Sequence, residues 1–150
     1  MSRRELKSGK QVADWLEELG SHLKQPGNMT LIGSAALLWH AHERGIAAEL
    51  PEASMDVDPV TDSDEVAMHC YEALIGSEFE RTHGWHVNLM PPTILQELPA
   101  GWERRARQKQ IGKLNLLVPA SADLLAPKLK RNEPRDRAHA DWAKRIGLLN

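Results

Sequence analysis

Met29-Thr30-Leu31-Ile32-Gly33-Ser34-Ala35-Ala36-Leu37-Leu38-Trp39-His40-Ala41, residues 29–41, is the stretch on which the fold turns. An apolar run, Met29 to Ile32, stops at Gly33-Ser34, and strong helix formers then run to the stop signal at Gly45. The expected local structure is strand, tight turn, helix. After a loop over residues 46–53, Met55-Asp56-Val57-Asp58 alternates apolar and acidic residues as far as Pro59. That alternation predicts a strand with both aspartates on one face and an end at the proline.

Outward from this centre, helices and strands alternate. Val12, Trp15, Leu16, Leu19 and Leu23 form one helical stripe closed by Pro26-Gly27. Thr61-Asp62-Ser63 offers N-caps to a helix with an expected apolar stripe of Ala67, Tyr71, Leu74 and Ile75. Trp85-His86-Val87-Asn88-Leu89 alternates as a strand closed by Pro91-Pro92, and Leu114 to Val118 reads as a buried strand. Residues 93–112 remain ambiguous between element types. Ser121 is expected to cap a helix through about Arg131, with Pro127 inside it removing a backbone hydrogen bond. A last helix starts at Pro134, with an expected stripe of Ala138, Trp142, Ile146 and Leu149. The pattern predicts an α/β (α+β) chain: a small mixed β-sheet packed against helices, in one domain over residues 1–150.

Composition narrows the function classes. At 150 residues, 41% apolar and 27% charged, with a net charge of -2, the chain is neither disordered nor a bulk polyanion binder. No apolar run approaches the ~20 residues that span a bilayer, and Met1-Ser2-Arg3-Arg4-Glu5 leads into no signal segment, so a cytoplasmic protein without membrane contact is expected. The single cysteine, Cys70, lies in an amphipathic helical stretch and reads as a packed core thiol. His40 and His42, two residues apart on a helix, point to different sides and do not chelate together. Trp15, Trp39 and Trp142 sit on apolar stripes as core residues.

The residues with chemistry in them are Gly33, Ser34, Asp56 and Asp58. Carboxylates at i and i+2 of a strand stand ~6.6 Å apart along one face, close enough to share hard cations with a phosphate. A Gly-Ser turn lets backbone approach a ligand, and the helix it opens presents N–H groups and a positive dipole end. A basic run, Arg104, Arg105, Arg107, Lys109 and Lys113, is a second candidate surface, for RNA phosphates.

Leu31-Ile32-Gly33-Ser34 followed by Met55-Asp56-Val57-Asp58 resembles the signature of the DNA polymerase β-like nucleotidyltransferases. The later segment Asp123-Leu124-Leu125-Ala126-Pro127-Lys128-Leu129, with Arg135-Asp136 after it, is similar to the small bacterial branch of AbiEii toxins and minimal antitoxin nucleotidyltransferases. The resemblance covers about residues 28–146. It implies transfer of a nucleoside monophosphate from a metal-bound nucleoside triphosphate to an RNA or protein hydroxyl, with Mg2+ or Mn2+ held by Asp56 and Asp58. It also implies phosphate contacts from Gly33, Ser34 and Lys128, and a partner that is RNA or a toxin or antitoxin protein. The chain departs from the family pattern at Glu52, where relatives often carry arginine, and at Asn88, the best match to the third metal-binding carboxylate. Asn88 as a neutral third ligand opens a second reading: a catalytically degenerate nucleotide-binding or toxin–antitoxin interaction module.

Overall fold

Backbone capping and side-chain periodicity set the first element. Gln11 Oε1 accepts hydrogen bonds from the Lys7 and Ser8 N–H groups, and α1 (Gly9–His22) then buries Val12, Trp15, Leu16 and Leu19, as the stripe predicts. The computed structural model describes residues 6–51 and 56–149, so Glu52 and Met55 lie outside the described residues. After α1 come β1 (Gly27–Ile32), α2 (Gly33–Glu43), β2 (Asp56–Val60), α3 (Asp64–Tyr71) and α4 (Glu78–His83). The second half comprises β3 (His86–Val87), a 3-10 helix (Pro92–Glu97), α5 (Trp102–Arg105), β4 (Arg107–Ile111), β5 (Leu114–Val118), α6 (Ser121–Arg131) and α7 (Pro134–Arg145).

The five strands form one mixed sheet in the order β3-β2-β1-β5-β4. β1 is central, antiparallel to β2 and parallel to β5, while β2–β3 is parallel and β4–β5 antiparallel. One face carries Met29, Leu31, Val57, Leu114, Leu116 and Val118 into the core. The other carries Asp56 and Asp58, with Ile32 opposite Asp58 in register. Helix α2 is enclosed on every side: all eight residues from Ser34 to Ala41 are buried. Such a helix needs neighbours all round, which the sheet, α1 and α6 supply.

Five details differ from the sequence reading. Strand β2 runs through Pro59 to Val60. Pro59 O accepts from Met90 N–H at 2.9 Å, so its nitrogen also faces away from β1 and its missing N–H costs that ladder nothing. The 85–89 strand shrinks to His86–Val87, although Asn88 and Met90 N–H still bond to β2 carbonyls. The α3 stripe is displaced: Val66, Cys70 and Ala73 are buried, whereas Tyr71 and Ile75 are exposed. Ser63 sets that phase by accepting the Val66 N–H, and Val66 fills the space left by Gly27, where a Cβ would lie 2.7 Å from its Cγ2. At the C-terminal end, Ala120 is the N-cap of α6 and Ser121 its first helical residue, while α7 buries Asp136, His139, Trp142 and Ala143 and leaves Leu149 exposed.

The ambiguous 93–112 segment resolves into the 3-10 helix, α5 and edge strand β4, which returns into β5 through Gly112 at φ 58. Helix α1 docks on this hairpin at Gly20, where a Cβ would sit 2.2 Å from the Ile111 carbonyl oxygen. A backbone oxygen in a sheet cannot step aside as a flexible side chain would. Gly20→Ala should therefore destabilise the chain by about 2 kcal/mol. In thermal unfolding this appears as a fall in Tm of about 4–8 °C; an unchanged Tm would show that α1 lifts off the hairpin freely.

Candidate active site

The β1–α2 turn positions the site. Gly33 has φ +78, a left-handed conformation natural to glycine, and a Cβ there would lie 2.8 Å from Asp58 Oδ2. The missing side chain thus both permits the turn and makes room for a carboxylate. Asp58 arrives there because β2 pairs antiparallel with β1 in the register Ile32↔Asp58, and strand alternation carries Asp56 to the same face.

A cleft opens at this point, lined by Gly33, Ser34, Asp56 and Asp58 on one wall and by Lys128, Arg131, Arg135 and Asp136 on the other. Ile94, Glu97 and Leu98, from the 3-10 helix and the residue after it, also line it, together with the apolar Ile32, Met90 and Leu124. Helices α6 and α7 bring the cations in. Pro127 sits on the cleft side of α6 and leaves the helix continuous to Arg131.

Charge is segregated within this space. Burial, with the negative charge of Asp56 next, pushes Asp58 up to about 7, while Asn88, Lys128 and Arg131 pull the other way. Two carboxylates so placed are not both comfortable as anions without a cation between them. Burial holds Lys128 below the usual lysine range despite the opposing pull of Asp136 and Asp58. Asp136 is itself buried, which alone would raise it. The hydrogen bonds and charge of Arg131, helped by Lys128, outweigh that effect and keep it below the usual carboxylate range.

Ser34 is the junction of the two walls. Its Oγ accepts from Lys128 Nζ at 3.1 Å and lies 3.0 Å from His139 Nδ1 in the fully buried part of α7. A hydroxyl has one proton and two lone pairs. When Lys128 and His139 Nδ1–H both donate to it, its own proton is left to point into the cleft.

All five sequence candidates for binding or metal contact on the cleft itself, Gly33, Ser34, Asp56, Asp58 and Lys128, line it. Asn88 lies beside it, donating Nδ2–H to Asp58 Oδ1 at 3.4 Å and contacting Met90 Sδ at 3.3 Å. Two contributors, Arg131 and His139, lie outside the sequence candidates, whereas Asp136 belongs to the late segment that the sequence singled out. The signal for His139 and Asp136 was available, since they stand three and six residues before Trp142, on its side of α7. Among the described residues, no group of three or more His, Cys, Asp or Glu side chains has metal-holding geometry.

The other candidates lie elsewhere. In the basic run, Arg105 forms a bidentate pair with buried Asp123, Lys109 pairs with Glu43, and Lys113 donates to the Lys24 carbonyl. Cys70 is a core thiol that burial pushes up to about 12. His40 Nε2–H donates to the Pro119 carbonyl at 2.7 Å, joining α2 to the end of β5. No helix among the described residues is long and apolar enough to cross a membrane.

A five-stranded mixed sheet with helices, carrying a Gly-Ser turn and two aspartates into one cleft, defines a small nucleotidyltransferase-like α+β protein. Residues 10–147 match the family described as "Nucleotidyltransferase of unknown function (DUF6036)", and the chain belongs to that family. No curated protein and no solved structure matches the chain.

Between about pH 4 and pH 7 the native chain keeps a proton on Asp58 that the unfolded chain has released. Its contribution to stability is therefore present in acid and lost as pH rises through 7. In chelator, Asp58→Asn should gain stability relative to the parent by about 1 kcal/mol or more between pH 5 and pH 8. Parallel denaturation curves at the two pH values would show instead that Asp58 ionises like an ordinary surface carboxylate.

Proposed function

We propose that this cleft binds a nucleoside triphosphate together with a divalent cation, Mg2+ or Mn2+, and transfers the nucleoside monophosphate to a hydroxyl. The observation that carries the reading is the facing of Asp56 and Asp58 across one cleft by Lys128, Arg131 and Arg135, with the start of α2 between them. The donor set fits a hard cation: the carboxylates of Asp56 and Asp58 offer oxygen on one strand face, and a bound cation would offset the mutual repulsion that helps raise Asp58. Asp56 and Asp58 would hold the ion, with Glu97 in the same cleft or Asn88 beside it as further oxygen ligands. Bound there, a divalent ion neutralises triphosphate charge and lowers the pKa of the attacking hydroxyl.

The chain's own residues do the rest. Gly33 presents backbone at the turn, and the first turn of α2 directs its positive dipole end at the phosphates. Ser34 donates its O–H to a phosphate oxygen, Lys128 and the α6–α7 arginines supply positive charge, and Asp136 fixes Arg131 through bonds of 2.8 and 3.3 Å. The acceptor oxygen attacks the α-phosphorus as the bond to the pyrophosphate oxygen breaks. RNA and protein hydroxyls are both acceptors in this reading, and the branch related to AbiEii toxins and minimal antitoxin nucleotidyltransferases is the one the late Asp123 to Asp136 segment supports. A binding-only module is favoured in turn by neutral Asn88.

The test is titration with each nucleoside triphosphate in magnesium, in manganese and in chelator, followed by incubation of labelled triphosphate with RNA and protein acceptors. Binding should require the cation and disappear in the Asp56→Ala, Asp58→Ala double variant while the fold is retained; equal binding in chelator would overturn the site. Any transfer should rise in Asn88→Asp if Asn88 holds the third ligand position, and vanish in Glu97→Gln if Glu97 does. For Ser34, His139→Asn keeps a donor near the Nδ1 position and should bind metal-nucleotide about tenfold more tightly than His139→Leu, the worth of one hydrogen bond to a charged group. Equal affinity in the two variants would remove His139 from the binding apparatus.

A further inference from the structure

Helix α3 and the turn after it carry apolar residues on two sides, and only one side is used by the fold. Val66, Cys70 and Ala73 face the core, while Met68, Tyr71 and Ile75 face outward with 64%, 56% and 72% of their surface exposed. Met68 and Tyr71, three residues apart on α3, form the helical part of the ridge, and Ile75 lies in the turn that follows the helix. Only five large apolar side chains are exposed among the described residues, and three of them stand on this ridge. Scattered exposed apolar residues are ordinary, but a contiguous row is the mark of an interaction surface.

The charge around the ridge says what it fits. Residues 61–80 contain six acidic side chains and no lysine or arginine, in a chain whose net charge is only -2. Asp64 and Glu72 lie one helical turn before and after Met68, and both are exposed. On its α1 side the ridge borders a groove lined by Trp15, Glu18, His22, His69, Glu72 and Phe79, with no lysine or arginine in its walls and His69 3.7 Å from the Glu72 carboxylate. Carboxylates beside aromatic rings suit a guanidinium or ammonium group. A second copy of the chain is a poor occupant, because a two-fold contact would set Asp64 and Glu72 against their own counterparts with no lysine or arginine between them. The same charge repels nucleic acid and anionic lipid.

We infer that the Met68–Tyr71–Ile75 ridge and the adjoining acidic groove form a docking surface for a basic amphipathic helix of another protein, its apolar side chains packing on the ridge and its arginines or lysines entering the groove. The surface shares no residue with the cleft, so a partner bound here leaves the cleft open to its ligands. The inference stands apart from the transferase reading.

The test uses the full chain and three labelled peptides: a leucine–arginine peptide patterned as an amphipathic helix, a scrambled peptide of the same composition, and the patterned peptide with glutamate for arginine. Anisotropy at about 0.1 M salt, where distant charges are screened, should show the patterned basic peptide binding about tenfold more tightly than the scrambled one. The paired variant Met68→Ser, Tyr71→Ser should erase that preference without moving the thermal unfolding curve, and Glu72→Lys should weaken the patterned basic peptide. Equal affinity for patterned and scrambled peptides would reduce the surface to bulk charge and overturn the inference, as would tight binding of the glutamate peptide. Sedimentation showing a dimer that Met68→Ser disperses would assign the ridge to a second copy and overturn it equally.

Discussion

The turn at Gly33 is the constraint on which the molecule depends. Its left-handed φ lets the central strand pass directly into α2, a helix buried from Ser34 to Ala41. Its missing Cβ admits the Asp58 carboxylate at a distance no other residue would allow. One position therefore serves packing and chemistry at once. A side chain there would strain the backbone, displace the helix that anchors the core, and push a carboxylate out of the cleft.

The second wall of the cleft depends on a polar seam inside the α6–α7 pair. Buried Lys128, Asp136, His139 and Ser34 are linked across three helices, and exposed Arg131 closes the seam from outside. Buried charges are costly unless paired and hydrogen-bonded, so these groups hold one another in place. The consequence is that Lys128 and Arg131 are held on the wall that faces the acidic strand. Arg105 on Asp123 does a similar job at the start of α6, which explains why part of the basic run is spent on architecture instead of facing a ligand.

Much of the fold was legible in the sequence because its signals were local. The Gly33-Ser34 turn, the Val12 to Leu23 stripe, the Asp56-Val57-Asp58 alternation and the Leu114 to Val118 strand each need only short-range periodicity. Gly33, Ser34, Asp56, Asp58 and Lys128 were legible as candidates for the same reason, helped by their order along the chain. The misreadings fell where phase is set from outside the segment. Ala67, Tyr71, Leu74 and Ile75 make a plausible stripe, but Gly27 on a different element decides that Val66 and Cys70 turn inward. Likewise Ala138, Ile146 and Leu149 outscore His139 in hydrophobicity, yet His139 is the buried residue because Ser34 waits for it on α2.

By itself the sequence determined most of the helices and strands, the mixed character of their sheet and the residue types of the acidic wall. Tertiary structure alone decided which cations face that wall, that Asn88 points an N–H at Asp58, and that an apolar ridge on α3 stays in solvent. The physical reason is range. Turns, caps and periodic burial are decided within a few residues, whereas pairing of buried charges joins Ser34 to Lys128 and His139 across roughly a hundred positions, and only the closed fold brings such groups within hydrogen-bonding distance.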